Sequence, residues 1–124
     1  MPEPVQGKRS RRTCDEYLTD ALDAATEILD WTRGHSFDVY RDHKMMRRAV
    51  EKNLDIIAEA LKAAELQDHR LVESIPNIDK IKRYHIIMSH LYFTVDDQLV
   101  WDAIQTSLPE FARRLRRRLS GWKD

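Results

Sequence analysis

The chain has 124 residues, the size of a single domain able to bury one core. Its 21 basic and 21 acidic residues cancel, so no global field draws it toward nucleic acid or a membrane. Three glycines and four prolines argue against many short strands joined by tight turns. The single cysteine, Cys14, excludes an internal disulfide framework and favours a reducing, cytoplasmic location. No apolar stretch approaches about 18 residues, so no membrane segment is expected.

The N-terminal segment 1–12 contains two prolines, one glycine and a basic cluster, and is predicted to be a disordered tail. A single folded domain is predicted over residues 13–124. Thr13 and Glu16 have the spacing of a capping box, in which the hydroxyl and the carboxylate each accept a backbone hydrogen bond. Apolar residues with helical spacing follow, so a first helix is predicted to end at Arg33–Gly34.

A linker or short turn is predicted at residues 35–42, with its two aromatic side chains docked on the core. The second helix is predicted from about Asp42 to Gln67. Its apolar residues form two faces, so it should be buried from two directions, in the bundle or at a subunit interface. Asn53 and Glu59 lie within this helix and need partners or water if they are buried.

Pro76 interrupts the chain, and a third helix is predicted over about residues 77–92. Thr94 is the predicted N-cap of a fourth helix. Ser107, three residues before Glu110, has capping-box spacing and predicts a kink or a short fifth helix ending near residue 119. No strand pattern or internal repeat is found. The expected fold is therefore all-α, an antiparallel bundle of four or five helices.

Polar residues lie inside the third predicted helix, in the stretch RYHIIMSHLYF at positions 83–93. Arg83 and His90 are seven residues apart, so they lie within about 20° of the same helix face. A neutral imidazole can take the proton of a ribose 2′-hydroxyl while a guanidinium holds the charged phosphate, which permits RNA cleavage without metal. The alternative is that Arg83, His85 and His90 merely face water.

Two stretches resemble HepT-like proteins of the HEPN superfamily, which are toxins paired with minimal nucleotidyltransferase antitoxins. They are DALDAATEILDWTRGHSFDVYRDHKMMRRAVEKNLDIIAEALKAA and HIIMSHLYFTVDDQLVWDAIQTSLPEF. The similarity covers about residues 15–119. It implies an antiparallel helical bundle that forms a homodimer and brings two Arg/His motifs together across a two-fold axis.

The family motif is an Arg, four to six intervening residues, and then His-x-Tyr. His90 and Tyr92 match its end, and Arg83 stands ahead of them with six residues between. The resemblance implies catalytic roles for Arg83 and His90, and it makes Tyr92 the residue to which the nucleotidyltransferase attaches AMP. The family usually has Arg-Asn where this chain has His85 and Ile86. Either Arg83 replaces the usual Arg, or His85 contributes a second imidazole, or the site is inactive.

The predicted function is therefore the toxin of a toxin–antitoxin pair, a metal-independent endoribonuclease without a cofactor. Its substrate is RNA, of which tRNA is one candidate, and AMP transfer to Tyr92 silences it. The alternative is a catalytically inactive binding module that docks a nucleotidyltransferase and is modified by it. Asn53 and Glu59 are the predicted supporting residues of the site.

Two further features of the sequence are candidate binding sites. The histidines outside the motif lack the spacing of metal ligands, so no metal site is expected; they are His35, His43 and His69. The basic run 113–118 either binds RNA phosphates or an acidic partner, or forms a solvated helix face.

Overall fold

The computed structural model describes residues 12–75, 78–81 and 96–121. Within these ranges the helices with defined bounds are α1 (Cys14–Thr32), α2 (Phe37–Asp42), α3 (Lys44–Gln67), α4 (His69–Glu73), α5 (Asp97–Gln105) and α6 (Ser107–Leu119). Residues 78–81 are also helical, and the described part of the chain contains no strand. The all-α prediction is confirmed. The tail over residues 1–11 and the third helix beyond residue 81 lie outside the described residues.

Helices α1 and α3 form the main packing unit, and they run antiparallel. Gln67, at the end of α3, donates a hydrogen bond to the carbonyl of Arg12, just before α1. Asn53, in the middle of α3, contacts Ala24 and Glu27 in the middle of α1. Helix α6 packs on α1, while α5 packs on α6 and α2. No helix in the described ranges combines the length and apolarity needed to cross a membrane.

The core lies between these helices and follows the apolar spacing of the sequence. Most of the large, fully buried side chains come from α1, α3 and α6, among them Leu18, Ile28, Ile57, Leu61, Phe111 and Leu115. The second apolar face predicted for α3 is covered only in part. Ala60 on that face is buried, whereas Ile56 keeps 38% of its surface exposed. Within the described chain, α3 is therefore fully covered from one direction only.

The two ends of α1 match their sequence signals. The amide of Glu16 donates to Thr13 Oγ1 at 3.1 Å, and the amide of Thr13 donates to Glu16 Oε1 at 2.8 Å, which completes the capping box. At the other end, Thr32 is the last helical residue and Gly34 has a φ of 80°. This left-handed conformation favours glycine and turns the chain out of the helix.

The segment predicted as a linker contains a short helix instead. Ser36 Oγ accepts a hydrogen bond from the amide of Val39 at 3.2 Å, and this cap starts α2. Helix α3 then begins at Lys44, where the His43 ring accepts a bond from the amide of Met46. An extended backbone at His43 separates the two helices, so α3 does not begin at Asp42.

Two predicted caps were wrong. Helix α5 is capped by Asp96, whose carboxylate accepts a bond from the amide of Leu99 at 3.1 Å, and not by Thr94. Helix α6 begins at Ser107 as a separate helix, but Ser107 forms no capping box. The Glu110 carboxylate binds arginines one turn later in α6 and is therefore engaged elsewhere. The short α4 was not predicted at all.

Candidate functional site

The predicted catalytic and modification residues all lie outside the described residues: Arg83, His85, His90 and Tyr92. The structure shows where the chain is anchored on either side of them. Ile81 is buried in the core, and Asp96 caps α5. The motif therefore lies between two fixed points of the bundle. The predicted supporting residues, Asn53 and Glu59, are both described.

Asn53 ties α3 to α1. Its side chain is 5% exposed, and its amide nitrogen donates to the carbonyl of Ala24 at 3.1 Å and to Glu27 Oε1 at 2.8 Å. A buried amide needs such partners, because leaving it unpaired costs about 1–3 kcal/mol. Both amide hydrogens are thus used within the bundle, and the group acts as a link between two helices.

Glu59 lies on a different face of α3. It is exposed, and it lines a shallow groove of about 300 Å³ between α1 and α3. Glu59 comes six positions after Asn53 in the sequence, which places the two about 120° apart around the helix axis. The structure therefore does not bring the two predicted supporting residues together.

An aromatic cluster lies beside the start of α5. The ring of Trp101 is 5.3 Å from that of Tyr40 and 6.5 Å from that of Phe37, centroid to centroid. These contacts confirm that both aromatic residues of segment 35–42 dock on the core. Tyr40 is completely buried, and its hydroxyl has no hydrogen-bond partner among the described residues. Burial, assisted by the nearby acids Glu51 and Asp97, raises the pKa of the Tyr40 phenol.

Charged groups surround this hydroxyl. Arg47 Nε lies 3.8 Å from Asp97 Oδ2, an ion pair that joins α3 to the first turn of α5. Glu51 lies one turn along α3 from Arg47, and burial raises the pKa of its carboxyl despite the opposing effect of Arg48. We call Tyr40, Arg47, Glu51 and Asp97 the α5 corner. It lies at the start of α5, the first described helix after the motif in the sequence.

The sequence analysis missed the α5 corner. It predicted only that Tyr40 docks on the core. No short spacing relates residues 40, 47, 51 and 97, because three separate helices bring them together. Asp97, five residues after Tyr92, is the only member of the corner that lies near the motif in the sequence.

The basic run 113–118 is partly engaged within the bundle. Arg113 and Arg114 both pair with Glu110. Arg116 Nη2 donates to Thr26 Oγ1 on α1 at 3.3 Å. These contacts link α6 to itself and to α1, so at least part of the run has a structural role.

One histidine outside the motif has acidic neighbours. His69 Nδ1 lies 3.9 Å from Glu65 and its Nε2 lies 3.5 Å from Glu73. One potential ligand atom from each of the three side chains falls within 4.8 Å of the others. The two ring nitrogens face different carboxylates, so His69 lies between Glu65 and Glu73. The Glu-x-x-x-His-x-x-x-Glu spacing was a readable signal that a search for paired histidines missed.

The antiparallel helical bundle and the His-x-Tyr motif placed just before α5 define a helical protein of the HEPN superfamily. A family model described as Ribonuclease HepT-like matches residues 21–118. The chain therefore belongs to the HepT-like ribonuclease family, as the resemblance predicted.

Individual relatives have similar lengths. The chain is 28% identical over 108 residues to "Putative RNase MJ1380" of Methanocaldococcus jannaschii, which covers 86% of this chain and 96% of the relative. It is 30% identical over 99 residues to "Probable ribonuclease HepT" of Thermococcus cleftensis, which covers 80% of this chain and 89% of the relative. No solved structure matches the chain significantly.

Proposed function

We propose that this chain is the toxin of a toxin–antitoxin pair, a metal-independent endoribonuclease that acts in the cytoplasm as a homodimer. The observation that carries the proposal is the family match over residues 21–118, which includes the whole motif 83–92. Relatives that are themselves named as ribonucleases support RNA as the substrate class.

His90 and Arg83 perform the reaction in this proposal. The neutral His90 imidazole takes the proton of a ribose 2′-hydroxyl, and the 2′ oxygen attacks the adjacent phosphorus. The bond to the 5′ oxygen breaks as the new bond forms, which leaves a cyclic phosphate and a 5′-hydroxyl. Arg83 stabilises the phosphorane charge with its planar guanidinium, and His85 offers a second imidazole to protonate the leaving oxygen.

Tyr92 is the regulatory residue. Its phenol oxygen attacks the α-phosphate of ATP held by a partner nucleotidyltransferase, which releases pyrophosphate and the phenol proton. The product carries AMP on Tyr92. This adds negative charge and bulk next to Arg83 and His90, where an RNA phosphate would have to enter, so the modified toxin is silent.

Asn53 and Glu59 contribute in different ways. We assign Asn53 a framework role, because its hydrogen bonds to α1 fix the position of α3. Glu59 lies on an exposed groove, so its support of the motif is the less direct of the two.

A second function is an inactive binding module that docks a nucleotidyltransferase and is modified by it. The observation that favours it is the altered motif, in which His85 and Ile86 occupy the positions where the family usually has Arg-Asn. His90 and Tyr92 are present under both proposals.

Expression of the chain without a partner distinguishes the two functions. We expect slowed growth and cleaved cellular RNA with wild type, and normal growth with His90→Ala or Arg83→Ala. His69→Ala is the matched control, because it removes an exposed imidazole outside the motif and should behave as wild type. A wild-type chain that is harmless and cleaves no RNA contradicts the ribonuclease proposal and leaves the binding module.

Modification is tested by co-expression with a small nucleotidyltransferase whose reading frame neighbours the gene, if the genome contains one. We expect one or more AMP groups on the peptide that contains Tyr92, loss of this mass shift in Tyr92→Phe, and no change in Tyr84→Phe. Absence of a small nucleotidyltransferase reading frame beside the gene would count against both functions.

A further inference from the structure

The groove between α1 and α3, called the α1–α3 groove below, has an acidic lining. Its lining residues are Tyr17, Asp20, Lys52, Asp55, Ile56, Glu59 and Ala60. Three carboxylates face one lysine, and the partly exposed Ile56 supplies an apolar surface among them. At about 300 Å³ the groove is large enough for a few side chains. Its negative charge disfavours RNA phosphates, so it is suited to a short basic segment.

One basic residue already occupies the edge of this groove. Arg12 Nη1 lies 2.8 Å from Asp20 Oδ2, and its guanidinium lies 4.8 Å from the centroid of the Tyr17 ring. The carbonyl of Arg12 accepts a hydrogen bond from Gln67 at the end of α3. Arg12, two residues before the start of α1, is thus held at the groove by both helices.

The segment that precedes Arg12 has the complementary charge. Residues 1–11 contain three basic side chains, Lys8, Arg9 and Arg11, against the single acid Glu3. Four extended residues span at most about 14 Å. Packed helices have axes about 8–10 Å apart, so residues 8–11 are long enough to cross from α1 to α3.

We propose that the α1–α3 groove binds the chain's own basic N-terminal segment, with residues 8–11 crossing Ile56 and pairing with Asp55 and Glu59. Arg12 on Asp20 and Tyr17 is the fixed end of this contact. The proposal is independent of ribonuclease activity. Exposed ion pairs contribute little individually and are screened by salt, so the contact is weak and salt-sensitive.

Backbone ¹⁵N relaxation of the full chain tests the proposal. We expect residues 8–11 to have higher order parameters in wild type than in Asp55→Asn/Glu59→Gln, where they should fall below about 0.6, the range of a flexible backbone. About 0.5 M salt should lower them similarly in wild type, because it shortens the screening length. Deletion of residues 1–11 should shift the amide signal of Ile56.

The matched control is Asp23→Asn/Asp79→Asn, which removes the same charge from exposed positions outside the groove. It should leave residues 8–11 as ordered as in wild type. Equal flexibility in wild type and the groove variant overturns the proposal, as does an equal loss of order in the control. If the order parameters of residues 8–11 depend on protein concentration, the groove binds a second copy of the chain. That result overturns the proposed intramolecular contact.

Discussion

Asn53 in the α1–α3 pair and Tyr40 in the α5 corner are both buried polar side chains, but only Asn53 has a hydrogen-bond partner among the described residues. Asn53 donates two hydrogen bonds to α1, at 3.1 and 2.8 Å. Tyr40 is equally enclosed, yet its hydroxyl has no partner among the described residues. The paired group lies between the middles of α1 and α3, whereas the unpaired one lies against Trp101 of α5, the first described helix after the predicted catalytic motif.

The two buried groups should therefore affect the stability of the protein in opposite directions. A paired buried amide stabilises the packing of two helices, so its removal should lower the free energy of unfolding. An unpaired buried hydroxyl costs free energy and is uncommon in folded proteins. Three substitutions test this difference between the two regions.

Asn53→Asp should have the largest effect on stability. The new carboxylate would face the carbonyl of Ala24 and the carboxylate of Glu27 with no donor between them. A buried charge without a partner costs about 3 kcal/mol or more. Chemical denaturation at pH 7 measures this loss. Glu59→Gln, an exposed change on the same helix, should stay within about 0.5 kcal/mol of wild type. A loss below about 1 kcal/mol in Asn53→Asp would show that Asn53 is not a framework link.

Tyr40→Phe should have a smaller effect of opposite sign. It removes a buried hydroxyl without a described partner and keeps the ring against Trp101, so the free energy of unfolding should rise by up to about 1 kcal/mol. Tyr17→Phe, on the partly exposed ring beneath Arg12, is the control and should be nearly neutral. Destabilisation by Tyr40→Phe would mean that the hydroxyl has a partner beyond the described residues.

Glu51→Gln should have the smallest effect, and one that depends on pH. Burial raises the pKa of Glu51, so its contribution to stability is fully present below the usual carboxyl pKa and is lost as the pH rises through the folded-state pKa. Glutamine stays neutral at every pH. The free energy of unfolding of the variant should therefore rise relative to that of wild type by about 0.5 kcal/mol as the pH increases from about 4 to 7.

Denaturation curves across this pH range measure the gain. Tyr40→Phe serves as the reference, because the phenol stays neutral throughout and its difference from wild type should not vary with pH. A constant difference between Glu51→Gln and wild type would contradict the burial of this carboxyl in the α5 corner.

Local signals predicted much of the fold. Thr13 and Glu16 form their capping box because Thr13 directly precedes the first helical residue of α1, so both side chains reach the free amides of the first turn. Ser107 and Glu110 have the same spacing but form none, since α6 follows α5 with only Thr106 between them and arginines bind the Glu110 carboxylate. A spacing rule cannot show such competition before the helices are packed.

The site was less accessible to sequence reasoning. The motif came from resemblance to a family, while the α5 corner depends on contacts between residues far apart in the chain. Asn53 was expected to need a partner, but Ala24 and Glu27 lie 29 and 26 residues away. Only the packed α1–α3 pair identifies them.

Metal-independent RNA cleavage by His90 is tested most directly with the purified chain and RNA in the presence of EDTA. We expect wild type to release fragments ending in a cyclic phosphate, His90→Ala to cleave at least about 100-fold more slowly, and His69→Ala to match wild type. Cleavage that EDTA abolishes, or equal rates for wild type and His90→Ala, would contradict the proposed function.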